Sequence, residues 1–310
     1  MKPHRKLYHI KKFLYSLTVF LVLLISGVIS YGNIDNFSWD SVFQKVSLSN
    51  VDRAENSNDL EVHFLDVGKA DSAYIKYKNH NILIDAADKE PTDTVCEYLT
   101  REGVSKLDLV IVSHPHRDHI GQMSNVINKF EIEKFIESEI SDDIIPTSVT
   151  YERMLQALVD KNVKVKIAHP NDVFEIEDLK FEILGPISEN KNLNNNSLVA
   201  KMTYKDVSFL FTGDAEAFEE SEIIKTNKDI KSDVLKVAHH GSKTSSTISF
   251  LKKVLPKYAV ISVNSEEVTR SRQIILDRLK AVGAEIYITD LHGNILFSTD
   301  GHEIDVKTQK

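Results

Sequence analysis

"SHPHRDHIG" occupies residues 113–121 and contains three histidines and an aspartate within six positions: His114, His116, Asp118 and His119. The stretch follows the apolar run "DLVIV" (108–112) and precedes an expected helix. The end of a strand can direct several side chains into one cleft. Imidazole and carboxylate groups suit zinc, iron or manganese, and a mixed nitrogen and oxygen set does not distinguish among them. The spacing therefore predicts a metal site.

Composition limits how such a metal could be held. The chain has 310 residues, of which 42% are hydrophobic and 27% charged, as expected for a folded protein with a substantial core. Cys96 is the single cysteine, which excludes an intramolecular disulfide and a cysteine-based zinc site. Any metal is therefore expected on histidines and carboxylates.

The first 32 residues predict a membrane-targeting segment. "MKPHRKLYHIKK" (1–12) carries five basic residues and no acid, and residues 13–31 form an uncharged apolar run of 19 residues. This length suits a membrane-spanning helix better than the core of a signal peptide. An uncleaved anchor is the preferred interpretation of residues 1–32, and a cleaved signal peptide is the alternative. The basic flank predicts that everything after it lies outside the cytoplasm, either anchored to the membrane or secreted.

The predicted exported part is acidic. Without residues 1–32 the chain keeps 33 basic and 46 acidic residues, a net charge of −13. Nonspecific binding of nucleic acid normally relies on a basic surface. The overall charge therefore disfavours tight nucleic-acid binding by bulk electrostatics, although a local basic groove is compatible with it.

The remaining chain predicts a polar linker over 33–59 and one domain over 60–306. Short β-rich runs, several of them apolar on both faces, alternate with helix candidates, which is typical of a layered α/β fold. Strands are expected within 60–67, 72–77, 80–87, 107–114, 133–138, 163–168, 179–185, 197–204, 207–214, 232–240, 258–263 and 285–290, followed by a last hairpin. Helices are expected over 91–102, 121–129, 150–161, 216–225, 249–254 and 272–282.

Several stretches together resemble one family. "SHPHRDHIG" matches the His-x-His-x-Asp-His signature of the metallo-β-lactamase superfamily. Five further stretches resemble the extracytoplasmic domain of the ComEC family of DNA-uptake channel proteins. In chain order they are "FLDVGKADS" (64–72), "LIDAA" (83–87), "NNNSLV" (194–199), "LFTGD" (210–214) and "LKVAHHGS" (235–242). The resemblance implies an αββα sandwich, with two mixed β-sheets flanked by helices, preceded here by one N-terminal transmembrane or signal helix.

The resemblance also implies one or two divalent metal ions, zinc or manganese. The first ion would be held by His114 and His116 and the second by Asp118 and His119, with Asp214 bridging the two. His239 is favoured as the further ligand of the second ion, which leaves His240 to contact phosphate or to protonate a leaving group. The opposite order of these two histidines remains open. Asp118 and His240 are the predicted catalytic residues.

A further set of residues is expected behind the ligands or against the substrate. Asp85 is expected to support the signature loop by hydrogen bonding. Asp66 and Asp71 are expected to line one region beside the cation Lys69. The other members of the set are Asn196, Ser197 and Ser242.

The chain departs from the family pattern in three places. Where the family often reads "DVGQGD", residues 66–71 read "DVGKAD", with Lys69 and Ala70. Many relatives carry a late histidine that is missing between Val263 and Gln273. In addition, His169 is the only histidine between the signature and Asp214, where the superfamily usually has its third ligand for the first metal. A surface position is the preferred interpretation of His169, so the first metal lacks a third histidine.

The resemblance implies an extracytoplasmic hydrolase, most simply a phosphodiesterase in which a hydroxide held by metal attacks the substrate. The expected substrate is single-stranded nucleic acid or a cell-envelope phosphodiester such as phosphorylcholine, because a phosphorylcholine esterase of bacterial surfaces shares the fold. The alternative is a non-catalytic or weakly active envelope binding or regulatory domain that retains the fold. The oligomeric state is not predicted.

Overall fold

The computed structural model of the chain describes residues 60–89, 93–264 and 270–310. The predicted membrane segment (1–32) and linker (33–59) lie outside the described residues. The strands are β1 (Leu60–Phe64), β2 (Ala73–Tyr77), β3 (His80–Ile84), β4 (Lys106–Leu107), β5 (Leu109–Ile111), β6 (Glu131–Ile132), β7 (Phe135–Ser138), β8 (Val165–Ala168), β9 (Val173–Ile176), β10 (Leu179–Gly185), β11 (Val199–Tyr204), β12 (Val207–Phe211), β13 (Val234–Lys236), β14 (Tyr258–Ile261), β15 (Glu285–Ile288), β16 (Ile295–Thr299) and β17 (Ile304–Thr308).

Helices connect or follow these strands. They are α1 (Thr94–Arg101), α2 (Arg117–Ile120), α3 (Met123–Lys129), α4 (Val149–Asp160), α5 (Ala217–Lys225), α6 (Ile248–Val254), α7 (Arg270–Ala281) and α8 (Thr289–His292). The six helices expected from the sequence correspond to α1 and α3 to α7. Ser148 begins α4 by accepting a hydrogen bond from the backbone N–H of Tyr151, and Thr247 does the same for Phe250 in α6. Within the described part of the chain, no helix is both long enough and apolar enough to cross a membrane.

Two mixed sheets form the framework. The first has the order β17-β16-β1-β2-β3-β5-β7-β8, and the second has the order β15-β14-β13-β12-β11-β10-β9. The first sheet is antiparallel from β17 to β3 and parallel from β3 to β8, whereas the second is parallel from β15 to β12 and antiparallel from there to β9. The mixed sheets predicted from the resemblance are therefore confirmed.

The layers follow from the alternation of apolar side chains along the strands. The cluster between the sheets draws every second residue from both, including Leu60, Val62 and Phe64 of β1 and Val207, Phe209 and Phe211 of β12. The outer face of the first sheet packs against α1, α3 and α4, and that of the second against α5, α6 and α7. The result is the predicted αββα sandwich.

The chemically active sequence stretches lie where strands end. The signature begins two residues after β5, and Asp85 directly follows β3, the neighbour of β5 in the first sheet. Asp214 follows β12, and the pair His239 and His240 follows β13, the neighbour of β12 in the second sheet. Because these strands are parallel neighbours, their carboxyl ends meet at one edge. Residues far apart in sequence thereby become neighbours.

Candidate metal centre

Asp85 anchors the signature loop. Its carboxylate accepts hydrogen bonds from the backbone N–H of Ser113 (2.8 Å) and from the Ser113 hydroxyl (2.7 Å). The same carboxylate lies 2.8 Å from Nδ1 of His119, which is fully buried. A histidine that donates from Nδ1 keeps its Nε2 lone pair for another partner. Asp85 therefore makes the supporting contacts expected of it and directs Nε2 of His119 into the site.

The first candidate ligand group comprises His114, His116 and Asp214. Nε2 of His114 lies 3.0 Å from Nδ1 of His116 and 3.8 Å from Oδ2 of Asp214. Ligand atoms bound tetrahedrally at about 2.1 Å are about 3.4 Å apart, so these separations suit a metal ion. This group brings together the residues predicted for the first metal.

The second candidate group comprises Asp118, His119, Asp214 and His240. Nε2 of His119 lies 3.2 Å from Oδ1 of Asp214, and Nε2 of His240 lies 3.2 Å from Oδ2 of Asp118 and 3.8 Å from Oδ1 of Asp214. Asp214 thus faces both groups, with one carboxylate oxygen towards each. The preferred order of the two late histidines needs correction, because His240 and not His239 lies among the second group.

Buried atoms without partners indicate that the centre fits metal ions. Nε2 of His119 and Oδ1 of Asp214 are both buried and lie 3.2 Å apart without the alignment of a hydrogen bond, and neither has a hydrogen bond to any other described residue. Leaving such groups unsatisfied costs about 1–3 kcal/mol each, more where charge is involved. A divalent ion would satisfy both atoms at once, and the nitrogen and oxygen donor set suits zinc or manganese. The residues therefore fit the metal ions that the resemblance implies.

Burial and the neighbouring carboxylates shift the pKa values of His114 in the first group and of His119 in the second group in opposite directions. Burial lowers the pKa of His114 well below its usual value, so this imidazole is neutral near pH 7 and its nitrogen lone pair is available. Burial opposes a charge on His119 too, but the carboxylates of Asp214 and Asp85 outweigh it and raise the pKa of His119 well above its usual value. A protonated His119 therefore balances the buried carboxylates when no cation is bound.

Contacts at both ring nitrogens fix the orientation of His240. Its Nδ1 lies 3.1 Å from the backbone carbonyl of Ser262, which directs Nε2 towards Asp118. Burial opposes its charge, but Asp71 and Asp214 raise the pKa of His240 to about 9. Burial would raise the pKa of Asp118, but its hydrogen bond with His240 and the charge of His119 lower it to about 2.

The remaining predicted residues fall into two sets. Ser197 accepts a hydrogen bond from the backbone N–H of Asp214 (3.1 Å), and Asn196 holds the loop at 190–192, so both support the site from behind. Ser242 bonds to Thr244 and closes the turn after the histidine pair. The carboxylate of Asp66 pairs with Lys310 at 3.0 Å, and Asp66 is not a member of either ligand group, so the role expected for it stays a prediction.

His169 lies at the surface, with its side chain 58% exposed and 3.7 Å from Glu139. It is outside both ligand groups, which agrees with the preferred surface interpretation. A third histidine for the first metal therefore does not come from this position.

Sequence reasoning missed a buried ion pair beneath the second group. Nζ of Lys236 lies 2.7 Å from Oδ2 of Asp71, and both side chains are almost completely buried. Oδ1 of Asp71 lies 3.5 Å from Nδ1 of His240. The stretch "DVGKAD" did indicate Asp71, but the cation expected beside it was Lys69, whereas the structure supplies Lys236, 165 positions later.

A polar cavity of about 420 Å³ adjoins the second group. It is lined by Val67, Gly68, Lys69, Asp88, Arg117, Asp118 and Asn264. Arg117 pairs with Asp88 through two contacts of 2.9 Å, and Lys69 is exposed. Cationic side chains and a ligand carboxylate therefore share one opening to solvent.

With this fold and centre, the chain belongs to the metallo-beta-lactamase superfamily, whose sequence profile matches residues 65–265. It is 29% identical to ComE operon protein 3 of Bacillus subtilis (strain 168) over an alignment of 266 positions that covers 78% of this chain and 33% of that protein. It is 28% identical to competence protein ComA of Neisseria gonorrhoeae over 77% of this chain and 32% of that protein. The predicted resemblance to ComEC-type domains is confirmed. The chain spans about a third of the length of these relatives.

Solved structures agree on the fold. The metallo-beta-lactamase fold protein YhfI from Bacillus subtilis aligns with a TM-score of 0.55 and 14% identity, over 78% of this chain and 100% of that one. At this identity the likeness shows the fold alone. Family membership and the two ligand groups support the general prediction of a metal-dependent hydrolase with divalent ions, while the metal and the substrate stay predictions.

Proposed function

We propose that this protein is an extracytoplasmic, metal-dependent phosphodiesterase. The observation that carries the proposal is the pair of ligand groups that share Asp214, the second of which adjoins a polar cavity through Asp118. His114 and His116 would hold one ion, and the second would be held by Asp118, His119 and His240. When bound, two divalent ions would lower the pKa of a bound water and stabilise the negative charge that develops on phosphate.

The chain's own residues prepare the site for such a reaction. Asp214 would keep the two ions at a defined separation, because its two oxygens face different groups. Asp118 lies both in the second group and at the cavity wall, so a substrate phosphate in the cavity would approach this group first. Lys69 and Arg117 would attract that phosphate at the opening. His240 takes the ligand role in this proposal, rather than the leaving-group role first preferred for it.

Single-stranded nucleic acid is the substrate that we propose first. The names of the two curated relatives, a ComE operon protein and a competence protein, support it. The net charge of −13 on the predicted exported part favours a second candidate, a small envelope phosphodiester such as phosphorylcholine, because long nucleic acids would be repelled by it. Membrane attachment through residues 1–32 is part of the proposal, and a C-terminal reporter is expected to be accessible outside intact cells.

The proposal is tested with the purified full-length chain supplied with zinc or manganese. Hydrolysis is measured on bis-p-nitrophenyl phosphate, on single-stranded DNA and on p-nitrophenyl phosphorylcholine. We expect turnover of at least one substrate, and Asp118→Ala should lower the rate by about 100-fold or more, because it removes a ligand of the second ion. His169→Ala is the matched control and should keep the full rate. Absence of turnover with either metal refutes catalysis and leaves the non-catalytic envelope domain as the interpretation.

A further inference from the structure

The first ligand group has only three members among the described residues, His114, His116 and Asp214. The region between the signature and Asp214, where the superfamily usually has its third histidine, contains an asparagine-rich segment at 190–196. A two-metal site, as proposed above, needs a further donor or a water on this side. His239 is our candidate for this donor, because its Nε2 lies 3.8 Å from Oδ2 of Asp214 and its Nδ1 lies 3.2 Å from Glu216.

The two oxygens of Asp214 divide the surrounding imidazoles into two pairs. Oδ1 faces Nε2 of His119 at 3.2 Å and Nε2 of His240 at 3.8 Å. Oδ2 faces Nε2 of His114 at 3.8 Å and Nε2 of His239 at 3.8 Å. His239 therefore faces the same oxygen of Asp214 as His114 of the first group, although its Nε2 lies outside the compact cluster of that group.

An unusual turn of the backbone separates the two neighbouring histidines. His239 (φ 51°, ψ 45°) and His240 (φ 50°, ψ 30°) are both left-handed, and Gly241 follows with φ 76°. Each left-handed non-glycine residue costs about 1–2 kcal/mol, and such strain persists where the surroundings enforce it. The rings lie 6.3 Å apart with an interplanar angle of 71°. The turn therefore directs adjacent side chains towards different oxygens of Asp214.

Glu216 fixes His239 in the orientation that a ligand requires. Oε1 of Glu216 lies 3.2 Å from Nδ1 of His239, on the side of the ring opposite Asp214. A carboxylate behind a histidine selects the tautomer whose Nε2 is free to bind metal. Oε1 also accepts a hydrogen bond from the Thr244 hydroxyl (2.8 Å), so Glu216 is itself held.

The asparagine-rich segment holds Glu216 from the other side. The side-chain amide of Asn192 donates to Oε2 of Glu216 (2.9 Å), and Oδ1 of Asn195 accepts from the backbone N–H of Glu216 (3.1 Å). These asparagines hold Glu216, and Glu216 in turn contacts the His239 ring. The asparagine-rich segment therefore supports His239 through Glu216.

We infer that His239 is the third protein ligand of the first metal ion and that Glu216 is its positioning residue. The side chain of His239 is 28% exposed and its Nε2 lies 3.8 Å from Oδ2 of Asp214, so the proposed coordination requires the ring to move closer to the first group. This inference rests on the proposed two-metal function, but metal binding tests it without any measurement of turnover.

The experiment measures the metal content of the full-length chain. Protein stripped with chelator is titrated with zinc, and the stoichiometry is read by elemental mass spectrometry and the affinity by calorimetry. We expect two ions in the unmodified protein. His239→Ala should lose tight binding of one ion, and Glu216→Gln should weaken binding of that same ion by about 10- to 100-fold. Cobalt substituted for zinc should show a changed visible spectrum in both variants.

Matched controls identify the site that is affected. His169→Ala removes an exposed histidine, and Glu222→Gln alters a carboxylate on α5, the helix that directly follows Glu216, and this carboxylate pairs with Lys225. Both controls should bind two ions with unchanged affinity. His240→Ala should remove the other ion, so that its combination with His239→Ala leaves no tight site.

Two outcomes overturn the inference, and they are distinguishable. If His239→Ala still binds two ions with unchanged affinity, His239 is not a ligand, although the proposed function stands. If the unmodified protein binds no ion, the proposed function fails, and the inference fails with it. Retention of the far-ultraviolet circular dichroism of the unmodified protein is required of each variant, and Glu216→Gln tests the same site without removing the imidazole.

Discussion

The buried pair of Asp71 and Lys236 should show an asymmetric response to mutation. Asp71 has positive neighbours on three sides, because Lys236 lies at 2.7 Å, His240 at 3.5 Å and His119 at 4.0 Å. Within the described residues, Lys236 has Asp71 as its sole carboxylate partner inside 4.0 Å. Removing Lys236 therefore leaves a carboxylate with two histidines nearby, whereas removing the charge of Asp71 leaves a buried ammonium group without a counter-charge, held by the backbone carbonyl of Val237.

The size of the effect follows from burial. Removing one partner of a buried ion pair typically costs about 3–5 kcal/mol, because the remaining charge is left uncompensated. We expect Asp71→Asn to fall near the upper end of that range and Lys236→Met near or below its lower end. The double variant should cost less than the sum of the two, because neither charge remains. The charges of Lys236 and His240 outweigh burial and lower the pKa of Asp71, so the pair is ionised near neutral pH.

The assay is urea unfolding of the metal-free full-length chain at pH 7, followed by circular dichroism. Lys307→Met is the control, because Lys307 pairs with Asp305 at the surface with both side chains about 70% exposed. Such pairs contribute about 0–1 kcal/mol. The reasoning is refuted if Lys236→Met costs more than Asp71→Asn, or if the double variant costs the full sum of the single variants.

Three further predictions concern pH, metal and backbone. Burial raises the pKa of Glu219 to about 7 from 4.5, so the folded state holds a proton that the unfolded state loses, and this group should lower stability by about 3 kcal/mol as pH rises from 4.5 to 7; Glu219→Gln should remove about that much of the fall in unfolding measured across this range, while the part due to Glu137, whose pKa burial also raises to about 7, should remain. Chelator treatment should lower Tm by on the order of 10 °C, because an ion present at about 1,000 times its Kd adds about 4 kcal/mol; an unchanged Tm in calorimetry would contradict a metal site in the folded protein. Gly213→Ala should destabilise by roughly 1–3 kcal/mol, because φ is +47° and an added Cβ would lie 2.8 Å from that of Ser113, and unaltered urea unfolding would contradict this.

Local patterns in the sequence were sufficient for most of the framework. Apolar alternation predicted β10 at the residues where the structure has it, and the ends of α3 and α5 fall within two residues of expectation. The edge strand β9 was missed because four residues, two of them charged or exposed, carry too weak a period. Local periodicity reports how a segment buries its own side chains, so it is weakest where an edge strand buries few.

Pairs that depend on the whole fold could not be predicted in this way. Asp71 and Lys236 are joined across the two sheets, and no local pattern relates positions 165 residues apart. Asp66 and Asp71 were equivalent in the sequence, because each is an aspartate in the same loop. In the structure, Asp66 pairs with the exposed Lys310, whereas Asp71 pairs with the buried Lys236. Both partners are distant in sequence, so the difference depends on the whole fold.

The asparagine-rich segment shows why a missing ligand is difficult to find from sequence alone. The superfamily usually has a third histidine for the first metal between the signature and Asp214, and here the only histidine in that interval is the exposed His169. The structure instead connects Asn192 and Asn195 to Glu216, and Glu216 to His239. A metal ion requires a donor atom at the right place in space, and any strand end that reaches this place can supply it. A centre can therefore lose a ligand in one loop and keep its donor number through a neighbouring one, provided that the old loop becomes the support of the new donor.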